Sequence, residues 1–202
     1  MKRININLQQ IHFIGCWNLE NNKLCNDITN FFEDNKNLQK PGVTAQGKNL
    51  NVKKTTDITV RPDDLKEAKF EILKQYISEL HKCFLDYKEQ WPFLKSMLTN
   101  VDVPSFNIQK YSRGDHFASP HSERTSLNTL HRLFAWMTYL NDVDDGGQTS
   151  FNHYGIKIKP ETGKTLIWPA EWTHAHTGEI LKSGTKYIVT GWVHFPPPGP
   201  KE

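Results

Sequence analysis

His121-Ser122-Glu123 sets an imidazole and a carboxylate two residues apart, and Thr173-His174-Ala175-His176 sets two imidazoles at the same spacing. A strand has a side-chain period of two, so each pair would project from one face. Two imidazoles and one carboxylate on a common face form the facial triad that holds non-haem Fe(II), with three coordination positions left for substrate and oxygen. Of the nine histidines only His121 has a carboxylate two positions further on. A triad would therefore use His121, Glu123 and one later histidine. The same H-x-E triplet also occurs in surface loops, so its flanks decide the reading.

Such a set needs strands to carry it, and from about Ser105 the chain supplies them. "SFNIQKY", "LFAWMTYL", "GIKIKP", "TLIWPA" and "KYIVTGWVHF" are rich in β-branched and aromatic residues and are separated by Gly, Pro, Asn and Asp. Helices precede them. Leu24, Ile28, Phe31 and Phe32 fall at helical spacing before Pro41-Gly42. Pro62-Asp63-Asp64 then opens a longer stripe of Leu65, Ala68, Ile72, Leu73, Tyr76, Ile77, Leu80, Phe84 and Tyr87, which stops at Trp91-Pro92. The stretch between, "VTAQGKNLNVKKTTDITV", reads as loop with a weak strand. Five or more strands after helices predict an α+β fold, an antiparallel sandwich or jelly roll backed on one face by the N-terminal helices.

Composition narrows the class. At 202 residues, 37% hydrophobic and 23% charged, the chain suits one globular core. A net charge of +3 without a Lys/Arg block gives no strong nucleic-acid signal. Cys16, Cys25 and Cys83 are odd in number and lack a C-x-x-C spacing, which speaks against a disulfide framework and for a reducing compartment. No apolar run is long enough to span a bilayer, and "ININLQQ" breaks any leader sequence after Lys2-Arg3. The expectation is a cytoplasmic protein with no membrane association.

Several ordered pieces surround the triplet: "YSRGDHFASPHSE", then Arg132, "WMTYLNDVDDGGQTSF", "IKPETGKTLIW" and "HTGEILKSGTKYIVTGW". In this order they resemble the prolyl-4-hydroxylase-like branch of the Fe(II)/2-oxoglutarate dioxygenases, over roughly residues 106 to 195. That family has a tyrosine-led approach to H-x-D, a Y-L-N…G-G-x-T-x-F hairpin, a P-x-x-G turn, and a distal histidine followed by G-x-K and a tryptophan. The family's lysine lies ten residues after its distal histidine, and counting back from Lys186 reaches His176, with Gly184 and Trp192 in their places.

The resemblance implies a double-stranded β-helix, with one dioxygenase domain over 1–202: helical support with short strands to 104, a jelly-roll core over 105–195 and a Pro-rich tail over 196–202. It implies that His121, Glu123 and His176 are the catalytic metal ligands and that His174 lines the rim or outer sphere. Lys186 would neutralise the far carboxylate of 2-oxoglutarate, an anion that is costly to bury alone. Tyr111 and Thr149 would offer it hydroxyls, and Arg132 would be structural or substrate-facing. The cofactors would be Fe(II), 2-oxoglutarate and O2, with ascorbate as reductant. The reaction would hydroxylate a C–H bond of a prolyl or other residue of a peptide or protein, or of a small molecule, with release of succinate and CO2. Two features depart from the family pattern. Glu123 stands where aspartate is usual, and one extra residue between Phe117 and His121 predicts a bulge.

Two other readings share these residues. A nucleic-acid demethylating dioxygenase has the same metal core but an arginine at the position of Lys186. A non-enzymatic cupin-like module would bind metal through His174 and His176 together and give Lys186 no role.

Overall fold

The computed structural model describes all residues except 5, 7–10, 45, 46, 48, 99 and 197–202. The expected Pro-rich tail thus lies, apart from Pro196, outside the described residues. In chain order the elements are β1 (Lys2–Arg3), β2 (Gly15–Asn18), α1 (Asn22–Asp34), β3 (Lys40–Pro41), β4 (Lys53–Lys54), β5 (Thr56–Val60), α2 (Glu71–Gln90) and α3 (Pro92–Met97). Then follow β6 (Phe106–Ser112), β7 (His116–His121), β8 (Arg132–Tyr139), β9 (Thr149–Phe151), β10 (Ile156–Ile158), β11 (Lys164–Pro169), β12 (His176–Gly178) and β13 (Thr185–His194).

Two antiparallel sheets result, one ordered β1-β2-β11-β8-β13-β6-β5-β3 and the other β10-β9-β12-β7-β4. The strands after residue 105 contribute four neighbours to each, β11-β8-β13-β6 and β10-β9-β12-β7, which is the double-stranded β-helix. The first half of the chain is more than helical backing: it extends the larger sheet at both edges and adds β4 beside β7.

Period-two alternation along β8 explains the layering. Phe134 and Trp136 join the cluster with Ile28, Phe32, Leu73, Tyr76, Leu80 and Tyr87 of α1 and α2, whereas Ala135, Met137 and Tyr139 point into the barrel with Tyr111, Phe151, Leu166 and Trp168. Both faces of β8 are thus covered. The Tyr76 hydroxyl, on α2, bonds Thr138 Oγ1 of β8 at 2.8 Å, a fixed point between helix and sheet.

The long helix begins later than its periodicity suggests. Residues 64–66 and 68–70 form two 3-10 turns with extended Glu67 between them, and α2 starts at Glu71. Asp64 Oδ2 accepts from the Arg61 amide at 2.8 Å and closes a local turn. Phe70 is buried with its ring 5.3 Å from Phe31 of α1, so packing on α1 sets where the helix can start. Ala68 is exposed and does not belong to the stripe.

Candidate metal centre

β7 ends at His121, and the chain bends before Glu123, whose amide and that of Arg124 both donate to the Ala170 carbonyl at 3.2 and 3.0 Å. β12 opens at His176, which sits opposite His121 in the antiparallel register. The two imidazoles lie 4.3 Å apart between ring centroids. Each is oriented in the same way: His121 Nδ1 donates to Ser119 O at 2.9 Å, and His176 Nδ1 donates to His174 O at 3.0 Å. A carbonyl can only accept, so both protons sit on Nδ1 and both Nε2 lone pairs stay available.

Those lone pairs converge on one carboxylate oxygen. Glu123 Oε1 lies 3.4 Å from His176 Nε2 and 3.9 Å from His121 Nε2. One ligand atom from each of the three residues falls within 4.8 Å of the others, the only such group of three or more His, Cys, Asp or Glu among the described residues. Glu123 Oε2 faces the other way, accepting from Trp192 Nε1 at 2.7 Å, with Arg132 Nη1 at 3.6 Å. Arg132 stacks 3.8 Å over the Trp192 ring and donates to the Glu123 carbonyl at 3.0 Å.

Electrostatics agree with a cation site. Burial, and then its neighbour His121, hold His176 down to about 4, and burial also lowers His121. Both imidazoles are neutral at neutral pH, as ligands must be. Phe117 stacks on His121 at 3.7 Å and 12°, while Trp168 and Phe151 flank His176 at 5.1 and 5.7 Å. Two imidazole nitrogens and one carboxylate oxygen brought together in this way suit a divalent transition metal.

The chain is not extended through Thr173-His174-Ala175-His176, and this separates the two histidines. Residues Trp172–His174 form a 3-10 turn, so His174 does not share the face of His176. Its Nε2 donates to His12 O at 2.8 Å and its Nδ1 contacts Thr173 Oγ1 at 3.0 Å, which uses both nitrogens. The expected irregularity in β7 is present: from His121 to Phe117 it advances four residues while β12 advances two, from His176 to Gly178. The extra chain of β7 lets His121 face inward beside the bend that carries Glu123.

Lys186 lies on β13, 2% exposed, opposite Tyr111 of β6. Its Nζ donates to Gly147 O at 2.9 Å and sits 4.1 Å over the Tyr111 ring, and among the described residues no carboxylate pairs with it. Burial lowers its pKa to about 7. Gly147 has φ +69°, and a Cβ there would come within 3.3 Å of Lys186 Cδ, so the glycine gives both a left-handed turn and space for the lysine stem. The Tyr111 hydroxyl donates to Gln109 Oε1 at 2.9 Å. Thr149 Oγ1 accepts from Tyr139 at 2.6 Å and lies two residues from Phe151, which touches His176.

Sequence reasoning left Trp192 as a spacing marker and did not assign Phe117, Gly147 or Gln109. A signal existed for Trp192: 186, 188, 190 and 192 alternate onto one face of β13, so it points the same way as Lys186. Arg124, in the loop after Glu123, donates to Glu171 and to the Leu130 carbonyl.

The arrangement of strands defines a double-stranded β-helix, and solved structures agree on the fold. The viral collagen prolyl hydroxylase of Paramecium Bursaria Chlorella virus-1 superposes with TM-score 0.65 at 16% identity, covering 93% of this chain and 98% of its own. A Pseudomonas putida prolyl-4-hydroxylase gives 0.70 at 16% identity, with 93% and 95% covered. Residues 106–194 match the 2OG-Fe(II) oxygenase superfamily. Among curated relatives, human prolyl 4-hydroxylase subunit alpha-1 is 24% identical over 98 residues, 45% of this chain and 17% of the human one. Probable prolyl 4-hydroxylase 9 of Arabidopsis thaliana is 24% identical over 135 residues, 54% and 47% of the respective chains. The chain thus spans under half the length of these curated relatives.

Proposed function

We propose that this protein is an Fe(II)- and 2-oxoglutarate-dependent dioxygenase that hydroxylates a residue of a peptide or protein. His121, Glu123 and His176 would hold the iron, and Lys186 would anchor the far carboxylate of 2-oxoglutarate. Tyr111 would cover the lysine, and Thr149 would offer its hydroxyl. Fe(II) with 2-oxoglutarate and O2 supplies an oxidative decarboxylation that releases succinate and CO2 and adds a hydroxyl to a C–H bond. The protein's part is to orient the three ligands, neutralise the carboxylate and keep the interior dry.

The observation that carries this reading is Lys186: a buried ammonium that meets a carbonyl and the Tyr111 ring but, among the described residues, no carboxylate, in the same barrel as three convergent metal-ligand atoms. Burying a cation alone is costly, so its natural complement is an anion brought by a ligand. A peptide substrate is favoured by exposed apolar residues that flank the ligands in sequence: Leu127 and Leu130, in the loop after Glu123, and Trp172, four residues before His176. The related fold of a Trichoplax adhaerens prolyl hydroxylase, TM-score 0.69 at 15% identity with 91% of this chain and 84% of that chain covered, was solved with a peptide fragment of hypoxia inducible factor. We read ascorbate as the reductant that maintains Fe(II), and a cytoplasmic setting from three free, buried cysteines. Among the described residues no helix is long and apolar enough to cross a membrane.

The test is turnover without substrate. Purified protein with Fe(II), ascorbate and 2-oxoglutarate is expected to convert 2-oxoglutarate to succinate slowly, and His176→Ala to abolish both this and metal binding. His174→Ala is expected to retain metal, because the carbonyl of residue 174, not its side chain, orients His176. No 2-oxoglutarate binding and no turnover under reducing conditions would overturn the assignment.

A further inference from the structure

We infer that Trp192 and Arg132 form a bracket that makes Glu123 a one-oxygen ligand and sets the affinity of the metal site. This rests on the metal site proposed above. The evidence is how the carboxylate is divided. Oε1 faces the two imidazoles at 3.4 and 3.9 Å, whereas Oε2 is held by Trp192 Nε1 at 2.7 Å and approached by Arg132 Nη1 at 3.6 Å. Nothing else bonds Oε2 among the described contacts.

The bracket is itself braced. The Arg132 guanidinium lies 3.8 Å over the indole, and its Nη1 also donates to the Glu123 backbone carbonyl at 3.0 Å. Side chain and backbone of Glu123 are therefore restrained together. Glu123 lies past the end of β7; its amide is bonded to the Ala170 carbonyl, but its side chain has three rotatable bonds. A free glutamate there would lose conformational freedom on ligation, or swing both oxygens onto one metal. The indole N–H occupies Oε2 and prevents both. Trp192 and Arg132 are thus positioning residues: they act through Glu123 and touch no reacting atom.

Support for a metal-ligating carboxylate of this kind commonly alters metal affinity by about 10–100-fold. The test uses Co(II), titrated anaerobically into the full chain and followed through its visible absorption, in wild type, Trp192→Phe, Glu123→Asp and the double variant. Phenylalanine keeps an aromatic face for Arg132 and deletes the N–H. Trp192→Phe is expected to weaken Co(II) by about tenfold or more. It should also reduce the intensity of the Co(II) band, because a released Oε2 raises the coordination number. Aspartate is one methylene shorter and cannot span metal and indole together. In the Glu123→Asp background the further change Trp192→Phe should therefore cost less than about threefold, within the scatter of small contacts.

Equal losses in both backgrounds would make Trp192 merely structural and overturn the bracket, as would a Trp192→Phe protein that binds Co(II) like wild type with an unchanged band. If Trp192→Phe does not fold, Arg132→Met provides the second reading. It keeps an apolar stem over the indole, removes both contacts to Glu123 and should weaken Co(II) several-fold; an unchanged affinity overturns the arginine's share. Wild-type protein that binds no Co(II) at millimolar concentration overturns the underlying metal site and the bracket with it. Binding by wild type that Trp192→Phe leaves intact overturns the bracket alone.

Discussion

Two buried lysines stand in the same barrel and are treated differently. Lys53, on β4, is 5% exposed and pairs with Asp57 Oδ2 at 2.8 Å, an oxygen that also accepts from Gln109 Nε2 at 3.1 Å. Lys186, on β13, is 2% exposed and among the described residues meets the Gly147 carbonyl and the Tyr111 ring but no carboxylate. The first charge is balanced within the fold. The second is left open, and its depressed pKa is the mark of that. A buried charge paired internally reads as architecture, and a buried charge left without its counterpart reads as a place for a ligand. A chain of contacts joins the two, from Lys53 through Asp57, Gln109 and Tyr111 to the ammonium of Lys186.

This contrast can be broken in four ways. The largest effect is expected from Lys186→Ala, which should weaken 2-oxoglutarate by more than about a hundredfold, because an unpaired buried carboxylate costs roughly 3–5 kcal/mol. Isothermal titration measures it, and a change below threefold would show that the carboxylate is anchored elsewhere. Lys53→Met should instead act on the fold. It leaves Asp57 charged and buried, with Oδ1 already lacking a partner, and should destabilise by about 3–5 kcal/mol in urea unfolding. Lys186→Met without ligand should be neutral or stabilising. The opposite ranking would reverse the assignment of the two lysines.

The third effect is a dependence on pH. The folded pKa of Lys186, about 7, is below its ordinary value of 10.5, so between them the unfolded chain keeps a proton that the folded chain has lost. Stability therefore rises with pH across that window, and the full penalty applies below about pH 7. From pH 7 to 9 wild type should gain roughly 2–3 kcal/mol relative to Lys186→Met. On the proposed anchoring by Lys186, 2-oxoglutarate should bind more weakly as pH rises over the same window, since that contact uses the charged lysine. A difference between the two proteins that stays flat from pH 7 to 9 would argue against the open charge. The smallest effect is Tyr111→Phe. It keeps the ring over Lys186 and deletes the bond to Gln109, costing about 1 kcal/mol of stability and less than tenfold in 2-oxoglutarate affinity.

Much of this site can be read from the chain, and the limits have physical causes. The strands from β6 on are local patterns with a fixed period that reappears as the two faces of the barrel, and His121, Glu123 and His176, singled out by type and spacing, lie together. What a period cannot convey is a break in it. Glu123 lies beyond the strand that His121 ends, and His174 closes a 3-10 turn, so neither pair owes its direction to strand alternation. α2 likewise starts nine residues after Pro62, because the contact of Phe70 with Phe31 is tertiary. Trp192 and Arg132 stand 69 and nine residues from the carboxylate they hold, and partners so placed are visible only once β8 and β13 lie side by side.

The placement of β2 has a consequence for how the molecule is made. Gly15–Asn18 pairs with β11, with Gly15 facing Ile167, while β5 covers the opposite flank at β6. The family segment 106–194 is therefore not a unit that can be cut out: without its flanks, β11 and β6 would be bare edges that invite self-association. An excised fragment is expected to precipitate. A growing chain faces a related constraint, because its second strand waits for a neighbour that emerges some 150 residues later, and such non-local closure slows folding. Until that late strand arrives, the hydrophobic face of Trp17 has only the helices to shelter it.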